Sequence, residues 1–548
     1  MKNKLPIGND EFREIRERGY YYIDKSLLIK DFLEMGDKVA LIARPRRWGK
    51  TLNVTMLREF FDDMVDSSQI FEGLDIMDTE YAREMNTHPV IYLTFKNCKG
   101  ANTNELIFTL KEELLREYLR HKKVVEEMLD QNSYDRENFM DTLNLLKNRD
   151  SSYIYMTTCL ANLTRTVAAC SQKKPMLFID EYDQPIISSY EYGYHEELGA
   201  FFSTFYGAAL KGNQSLDQAL LTGIQRVAKE SIFSQLNNPK VYTVMSRQYA
   251  PYFGLTTEEA QKLLQDCGLE LNDDVKKMYN GYLIGGIEMY NPWSILNYAD
   301  NAYLDNYWAN TSSNYLIREA LSKASTSFWQ DFEKLAAGEE TTVWLNLDTS
   351  YVERESNYSL WGLLVNAGYL SVIRRMSATS AIVKIPNEEV MSEFLMLVTE
   401  ISGLEGQGLA DMFAALFSGN ISRFLLLYQE AVIACTSYMD AKENAYHMLM
   451  LGMCMMLRKS YEVTSNLETG LGRSDITLKS LSPLKPHVII EFKQGQEVDL
   501  QKLADQALAQ IMDKQYYSAL KGKIICIGLA HDKKICRIAY EIIERQYN

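Results

Sequence analysis

Two short stretches hold the side chains best suited to phosphate chemistry. In the first, Arg44-Pro-Arg-Arg-Trp-Gly-Lys-Thr51, glycine, lysine and a hydroxyl follow closely on an apolar run, Val39–Ile42. Backbone N–H groups at the start of a helix attract an anion, and the helix dipole adds to that attraction. Lys50 can then reach the β- and γ-phosphates of a nucleotide and the Thr51 hydroxyl can ligate Mg²⁺, with Arg47, Trp48 and Gly49 forming the loop around the phosphates. The full pattern G-x-x-x-x-G-K-[ST] has glycine where this chain has Arg44, so the spacing predicts a differently shaped or weaker phosphate loop. Arg46 and Arg47 are placed either to stabilise charge developing on the γ-phosphoryl group or to bind an acidic neighbouring surface.

A triphosphatase also needs one carboxylate for the metal and another to activate water. Pro175-Met-Leu-Phe-Ile-Asp-Glu181 brings four apolar residues and then two acids to a strand end. Asp180 suits Mg²⁺, directly or through water, and Glu181 suits polarisation of the attacking water. Asp183 stands close by. A further run, Ala219-Leu-Leu-Thr-Gly-Ile224, ends in Thr222 and is followed by Arg226. Thr222 and Arg226 read either as a sensor of the bound nucleotide or as a turn with a solvated arginine.

The second stretch is Gly472-Arg-Ser-Asp-Ile-Thr-Leu478 with His487-Val-Ile-Ile-Glu-Phe-Lys493. On adjacent strands Asp475 and Glu491 converge, and alternation puts Glu491 and Lys493 on one face and Phe492 on the other. Two carboxylates and the Phe492 carbonyl suit Mg²⁺ or Mn²⁺. Lys493 beside such a site can position or activate water and counter the charge of a phosphodiester transition state. That is a nuclease arrangement. Gln506 and Gln510 share one face of the helix that follows, either contacting the scissile phosphate or simply solvated. Glu443, on a helix ahead of the first strand, is a candidate third carboxylate, with His447 one turn later.

The elements that must position these groups follow from hydropathy. Up to residue 255 apolar strand-like runs (Val39–Ala43, Val90–Phe95, Met176–Ile179, Ala219–Thr222, Val241–Val244) alternate with helical patterns such as Asn104–Leu119, as a parallel α/β sheet does. Residues 256–336 are mostly helical, a small lid interrupted by Tyr279-Asn-Gly-Tyr-Leu-Ile-Gly-Gly286 and Asn291-Pro-Trp293. A mixed segment, 337–402, connects to 403–548, where a helical region leads into an α-β-β-β-α-β pattern.

At 548 residues, 46% apolar and 24% charged, the chain is a folded protein of several domains. It has no run of 18 or more apolar residues and no apolar leader, so no membrane span and a cytoplasmic location are expected. Eight cysteines without a C-x-x-C pair favour reduced, buried thiols. A net charge of −15 excludes a protein that coats nucleic acid by bulk electrostatics. From Leu471 to the end, however, twelve Lys and Arg outnumber nine Asp and Glu, so a local nucleic-acid site there stays open.

Taken together, Tyr21-Tyr-Ile-Asp-Lys-Ser26, the Arg44–Thr51 loop, Phe178-Ile-Asp-Glu-Tyr-Asp183, Leu221-Thr-Gly-Ile224, Tyr290-Asn-Pro-Trp293 and the Asp475/Glu491-Phe-Lys493 set resemble a two-part bacterial family, AAA-ATPase-like proteins with a C-terminal PD-(D/E)XK nuclease domain. The resemblance covers essentially the whole chain. It implies a P-loop NTPase sheet with a helical lid, followed by a restriction-endonuclease-like α/β domain. It assigns Lys50 and Thr51 to the phosphate loop, Asp180 and Glu181 to metal and water, and Asp475, Glu491 and Lys493 to the nuclease core. The arginine-rich loop is usual in that family, which makes Arg44 a tolerated variation. Ser474 stands where the nuclease pattern is named for proline, a residue that donates no chemistry. The expected activity is ATP binding and hydrolysis coupled to a Mg²⁺- or Mn²⁺-dependent nuclease acting on DNA, in an oligomer or with a protein partner. The rival reading is an ATP-dependent regulatory or interaction protein whose nuclease-like domain binds without cutting.

Overall fold

The computed structural model describes residues 4–546 except 150–151, 226–238, 309–316, 318–320, 322–323, 337, 348–356, 402–405, 435–442, 458–459, 470–471 and 497. The chain forms two compact units interleaved in sequence: Met1–Thr311 with Trp344–Asn387, and Ser312–Val343 with Glu388–Asn548.

The first unit is built on five strands, β1 (Val39–Ala43), β2 (Val90–Thr94), β3 (Met176–Asp180), β4 (Ala219–Gly223) and β5 (Lys240–Tyr242). Their order is β2-β3-β4-β1-β5 and every pairing is parallel. β1, β3 and β4 are buried along their whole length, which is why they read as continuous apolar runs. A parallel sheet brings all its strand ends to one edge. The ends of β1, β3 and β4 therefore lie side by side, with β4 between the other two, and such edges are where α/β folds bind ligands. The helix Lys50–Phe61 leaves β1 through the loop and packs Met56, Leu57, Phe60 and Phe61 into a core with Ile42, Phe178 and Leu220.

Helices Thr257–Asp266, Asp273–Tyr279 and Pro292–Asn301 share a second core that also takes in Tyr21 and Ile23. Two of these helices start where the sequence dictates. Thr256 and Glu259 form a reciprocal capping box, and Asn291 Oδ1 accepts from the N–H groups of Trp293 (2.9 Å) and Ser294 (3.3 Å), with Pro292 in the first turn. The turn-rich interruption is a small antiparallel sheet: Leu255–Thr256, Ile287–Tyr290 and Tyr282–Ile284 pair in that order. Gly285 and Gly286 make its hairpin, both with positive φ, as a two-residue turn between paired strands requires.

The second unit carries a five-stranded mixed sheet in sequence order: Tyr461–Thr469, Gly472–Ser480, His487–Gln494, Gly522–Asp532 and Ile535–Arg545. All neighbours are antiparallel except His487–Gln494 with Gly522–Asp532, and the helix Leu500–Asp513 makes the crossover that a parallel pair needs. The pattern expected to end in one strand ends in a hairpin, turned at Lys533 (φ 50°) in the polar pair Lys533-Lys534. Gly528 sets the depth of the helix: a Cβ there would lie 2.3 Å from Ala504 O and 2.5 Å from Leu508 N.

Candidate functional site

In the first unit the loop Arg44–Gly49 joins the end of β1 to the helix Lys50–Phe61. The glycine requirement expected at position 44 does not arise. Positive φ falls instead at Arg47 (66°) and Gly49 (74°). The Arg44 side chain turns into the protein, fully buried, where Nη1 donates to Ala43 O (2.8 Å) and Tyr242 O (3.1 Å) and the guanidinium lies 5.6 Å from the Phe253 ring centroid. Trp48 is also fully buried, edge-on to Tyr282, against Gly254, where a Cβ would meet its ring at 2.5 Å. Arg44 and Trp48 therefore anchor the loop, and Arg46, Arg47 and Gly49 remain at least partly accessible.

Lys50 Nζ donates to the loop carbonyls of Arg44 (3.1 Å) and Pro45 (2.7 Å). Burial pulls its ammonium down, opposed by the carboxylates of Glu181, Asp180 and Asp183. Thr51 Oγ1 donates to Asp180 Oδ2 (2.7 Å) and Thr222 Oγ1 to Asp180 Oδ1 (2.5 Å), so the helix after β1 and the end of β4 meet on the carboxylate that ends β3. Burial pushes the Asp180 carboxyl up against these bonds and against Lys50. Glu181, held at φ 51°, is likewise pushed up by burial and by Asp180. Asp183 Oδ2 accepts from Ile224 N (2.9 Å) and Gln225 N (3.0 Å), fixing the turn after β4. Arg226 lies outside the described residues. Lys96, beyond the end of β2, pairs with Asp10 (2.9 Å); its ammonium is raised first by that bond, with further support from Glu181. Beside Gly49 opens an apolar slot whose walls include Tyr21, Tyr22, Ile23, Leu52, Tyr252 and Leu296. Lys25, also on its wall, bonds Glu259 (2.6 Å) and Pro251 O (2.6 Å).

In the second unit Asp475, Glu491, Lys493 and Gln510 form one connected cluster. Asp475 Oδ2 accepts from Phe492 N (2.8 Å), and Glu491 Oε2 accepts from Asp475 N (3.4 Å). Gln510 Nε2 donates to Glu491 Oε1, and Lys493 Nζ donates to Gln510 Oε1 (2.9 Å). Phe492 thus meets Asp475 through its N–H. Burial raises the Asp475 carboxyl, opposed by the Phe492 N–H and by Lys493. His447 Nε2 donates to Asp475 O (3.1 Å), and burial pulls this imidazole down to about 4, so it is neutral with its proton on Nε2. Gln506 is exposed. Glu443 begins the helix Glu443–Cys454, but its side chain lies outside the described residues.

Family models match both parts of the chain that carry these clusters. The family model for a predicted AAA-ATPase matches residues 6–233, and that for the PD-(D/E)XK nuclease superfamily matches 441–541. The chain carries an AAA-ATPase-like domain and a C-terminal PD-(D/E)XK nuclease-superfamily domain. An uncharacterized protein from the vnfD 5′ region of Azotobacter chroococcum mcd 1 is 26% identical over 550 residues, covering 95% of this chain and 94% of that one. The solved Walker-type ATPase of Pyrococcus abyssi matches at 13% identity over 68% of this chain and 95% of its own, with a TM-score of 0.34.

The donor sets suit the groups these domains use. In the AAA-ATPase-like domain a hydroxyl and a carboxylate already face each other at 2.7 Å (Thr51, Asp180) beside a buried ammonium, the surroundings of a Mg²⁺–phosphate pair. In the nuclease-superfamily domain the oxygens of Asp475 and Glu491 suit a hard divalent ion. Three neighbours were given no role in the sequence reading. Lys96 joins the nucleotide site only because β2 and β3 are adjacent, Lys25 only because the N-terminal segment packs on the lid helices, and Tyr516 because its hydroxyl lies 3.4 Å from Gln510 Nε2. A lysine directly after a predicted strand was the one available signal, for Lys96.

Proposed function

We propose that the protein binds and hydrolyses ATP in its AAA-ATPase-like domain and cleaves phosphodiester bonds, of DNA, in its nuclease-superfamily domain. The observation that carries the reading is the convergence of Asp475, Glu491, Lys493 and Gln510 in one bonded cluster, on a chain that also assembles Lys50, Thr51, Asp180 and Glu181 at a sheet edge. In the first site Lys50 and the N–H groups of Gly49, Lys50 and Thr51 hold the phosphates, and Glu181 accepts a proton from the attacking water. The nucleobase enters the apolar slot beside Gly49. Thr51 and Asp180 would hold Mg²⁺, which supplies charge neutralisation on the phosphate oxygens. In the second site Asp475 and Glu491 would hold a divalent ion, and Lys493, fixed by Gln510, orients water towards the scissile phosphate. Nucleotide state gates access of DNA to the second site.

The test has two arms. A fluorescent ATP analogue should bind wild type and lose roughly 10–100-fold in affinity in Lys50→Ala, through the missing charge-assisted phosphate contacts. Supercoiled and linear DNA should be cut with Mg²⁺ or Mn²⁺ and spared with a chelator. ATP binding without cleavage of any nucleic acid under these conditions would support a regulatory, non-cutting protein instead.

A further inference from the structure

Two of the seven non-glycine residues with positive φ among the described residues, Arg47 (66°) and Glu181 (51°), belong to the same nucleotide site. Neither arginine nor glutamate favours this backbone region, and such strain persists where surrounding structure fixes it. At Arg47 the turn sends the guanidinium out of the phosphate loop onto the indole of Trp293, 4.2 Å from the ring centroid. Trp293 is itself fixed: its N–H donates to Asn291 Oδ1 (2.9 Å) and its Nε1 to Tyr307 O (3.0 Å). The ring therefore offers a rigid face, and Arg47 stays exposed upon it.

We infer that Arg47 is the cation that stabilises the γ-phosphoryl group during its transfer to water, and that Trp293 is the positioning residue that holds the guanidinium ready for it. This rests on the reading of the AAA-ATPase-like domain as an ATP-hydrolysing site. In the step, the water oxygen forms a bond to the γ-phosphorus, the bond to the β–γ bridging oxygen breaks, and a water proton passes to Glu181. ADP and inorganic phosphate leave, with no further reactant. The charge spreads over the γ-oxygens and the bridging oxygen, where Arg47 and Lys50 meet it. One chain then supplies every charged group of the step. No arginine from a second copy is required.

The experiment is steady-state ATP turnover by the full chain with saturating Mg²⁺–ATP, alongside binding of a fluorescent ADP, for wild type, Arg47→Ala, Arg47→Gly, Trp293→Ala, Trp293→Phe and Arg47→Ala with Trp293→Ala. Arg47→Ala should lower kcat roughly 100-fold or more while ADP affinity changes by no more than about threefold. Arg47→Gly should lose turnover to the same extent yet unfold at a higher temperature, because glycine relieves the left-handed turn. Trp293→Phe should keep most of the turnover, Trp293→Ala should lose it, and Trp293→Ala should add nothing to Arg47→Ala. Turnover per chain should not depend on protein concentration. Wild-type turnover in Arg47→Ala overturns the inference alone, as does turnover per chain that falls away on dilution. Absence of ATP binding by wild type overturns the ATPase reading and this inference with it.

Discussion

Thr222 shows what a single hydroxyl does at this site. It donates at 2.5 Å to Asp180 Oδ1, while Thr51 serves the other oxygen, so a fully buried carboxylate has both oxygens bonded. Thr222→Val keeps the shape and removes one donor. It should destabilise the AAA-ATPase-like domain by about 1–3 kcal/mol in thermal or urea unfolding. Thermal melts of the metal-free protein should also report the buried carboxylates. Asp180, Glu181, Asp183 and Asp475 all have their carboxyls raised, so the folded state binds more protons than the unfolded one just above the usual carboxylate range. Their contribution to stability therefore falls as pH rises through that window, and Asp475→Asn, which keeps an acceptor for Phe492 N, should raise the unfolding midpoint at neutral pH. His447 works in the opposite sense. Its folded value, about 4, lies below the ordinary 6.5, so its contribution is present above 6.5 and is lost as pH falls towards 4, by roughly 3 kcal/mol in all. His447→Gln, which can still donate to Asp475 O, should flatten that acid limb in thermal melts between pH 4 and 7. That Lys50 stands with Thr51, Asp180 with Glu181, and Glu491 on one face with Lys493 was legible because spacing within one strand or turn dictates it, and Asp475 was brought to Glu491 by expecting adjacent strands. The Thr222–Asp180 bond and the Lys96–Asp10 pair were not, because each joins segments that only the folded sheet makes neighbours.

At the scale of elements, the nuclease cluster depends on how closely the helix Leu500–Asp513 lies on the sheet. Gln510 reaches Glu491 and Lys493 from this helix, and Gly528, paired with Glu491 in register, leaves the space for it. Gly528→Ala puts a methyl group into the helix backbone. It should cost about 1–3 kcal/mol of stability and reduce DNA cleavage further than that loss explains, because Gln510 is carried away from both partners. Steady-state cleavage measured well below the unfolding midpoint separates the two effects. The strands of the first sheet were readable from apolar runs bounded by polar turns, and their ends fall within a residue or two of expectation for β1 to β4. The small sheet formed by Leu255–Thr256, Tyr282–Ile284 and Ile287–Tyr290 was not, since strands of two to four residues leave no periodicity to read. The closing hairpin Gly522–Asp532/Ile535–Arg545 was missed as a second strand because Lys533-Lys534 lacks the glycine or asparagine that usually marks a tight turn.

At the scale of the whole molecule, the two candidate sites lie in separate compact units, and the chain leaves the first unit at Thr311 and returns to it at Trp344. Such interleaving rests on contacts between distant segments and has no local signature in sequence. Ligand linkage should keep the units distinguishable. At about 100 times its Kd, Mg²⁺–ATP should stabilise the AAA-ATPase-like domain by about 2.7 kcal/mol, raising its melting transition in calorimetry, whereas Lys50→Ala at the same ligand concentration should be stabilised by only about 0.4–1.4 kcal/mol. Among the described residues no helix is long and apolar enough to cross a membrane, and all seven described cysteines are free thiols. The most direct test of the account is cleavage of linear and circular DNA, with Mn²⁺ or Mg²⁺, by wild type and by Asp475→Ala and Lys493→Ala purified identically. Cutting by wild type that both substitutions abolish, with ATP binding intact in all three, is the predicted result; equal cutting by all three proteins, or none by wild type with either metal, contradicts it.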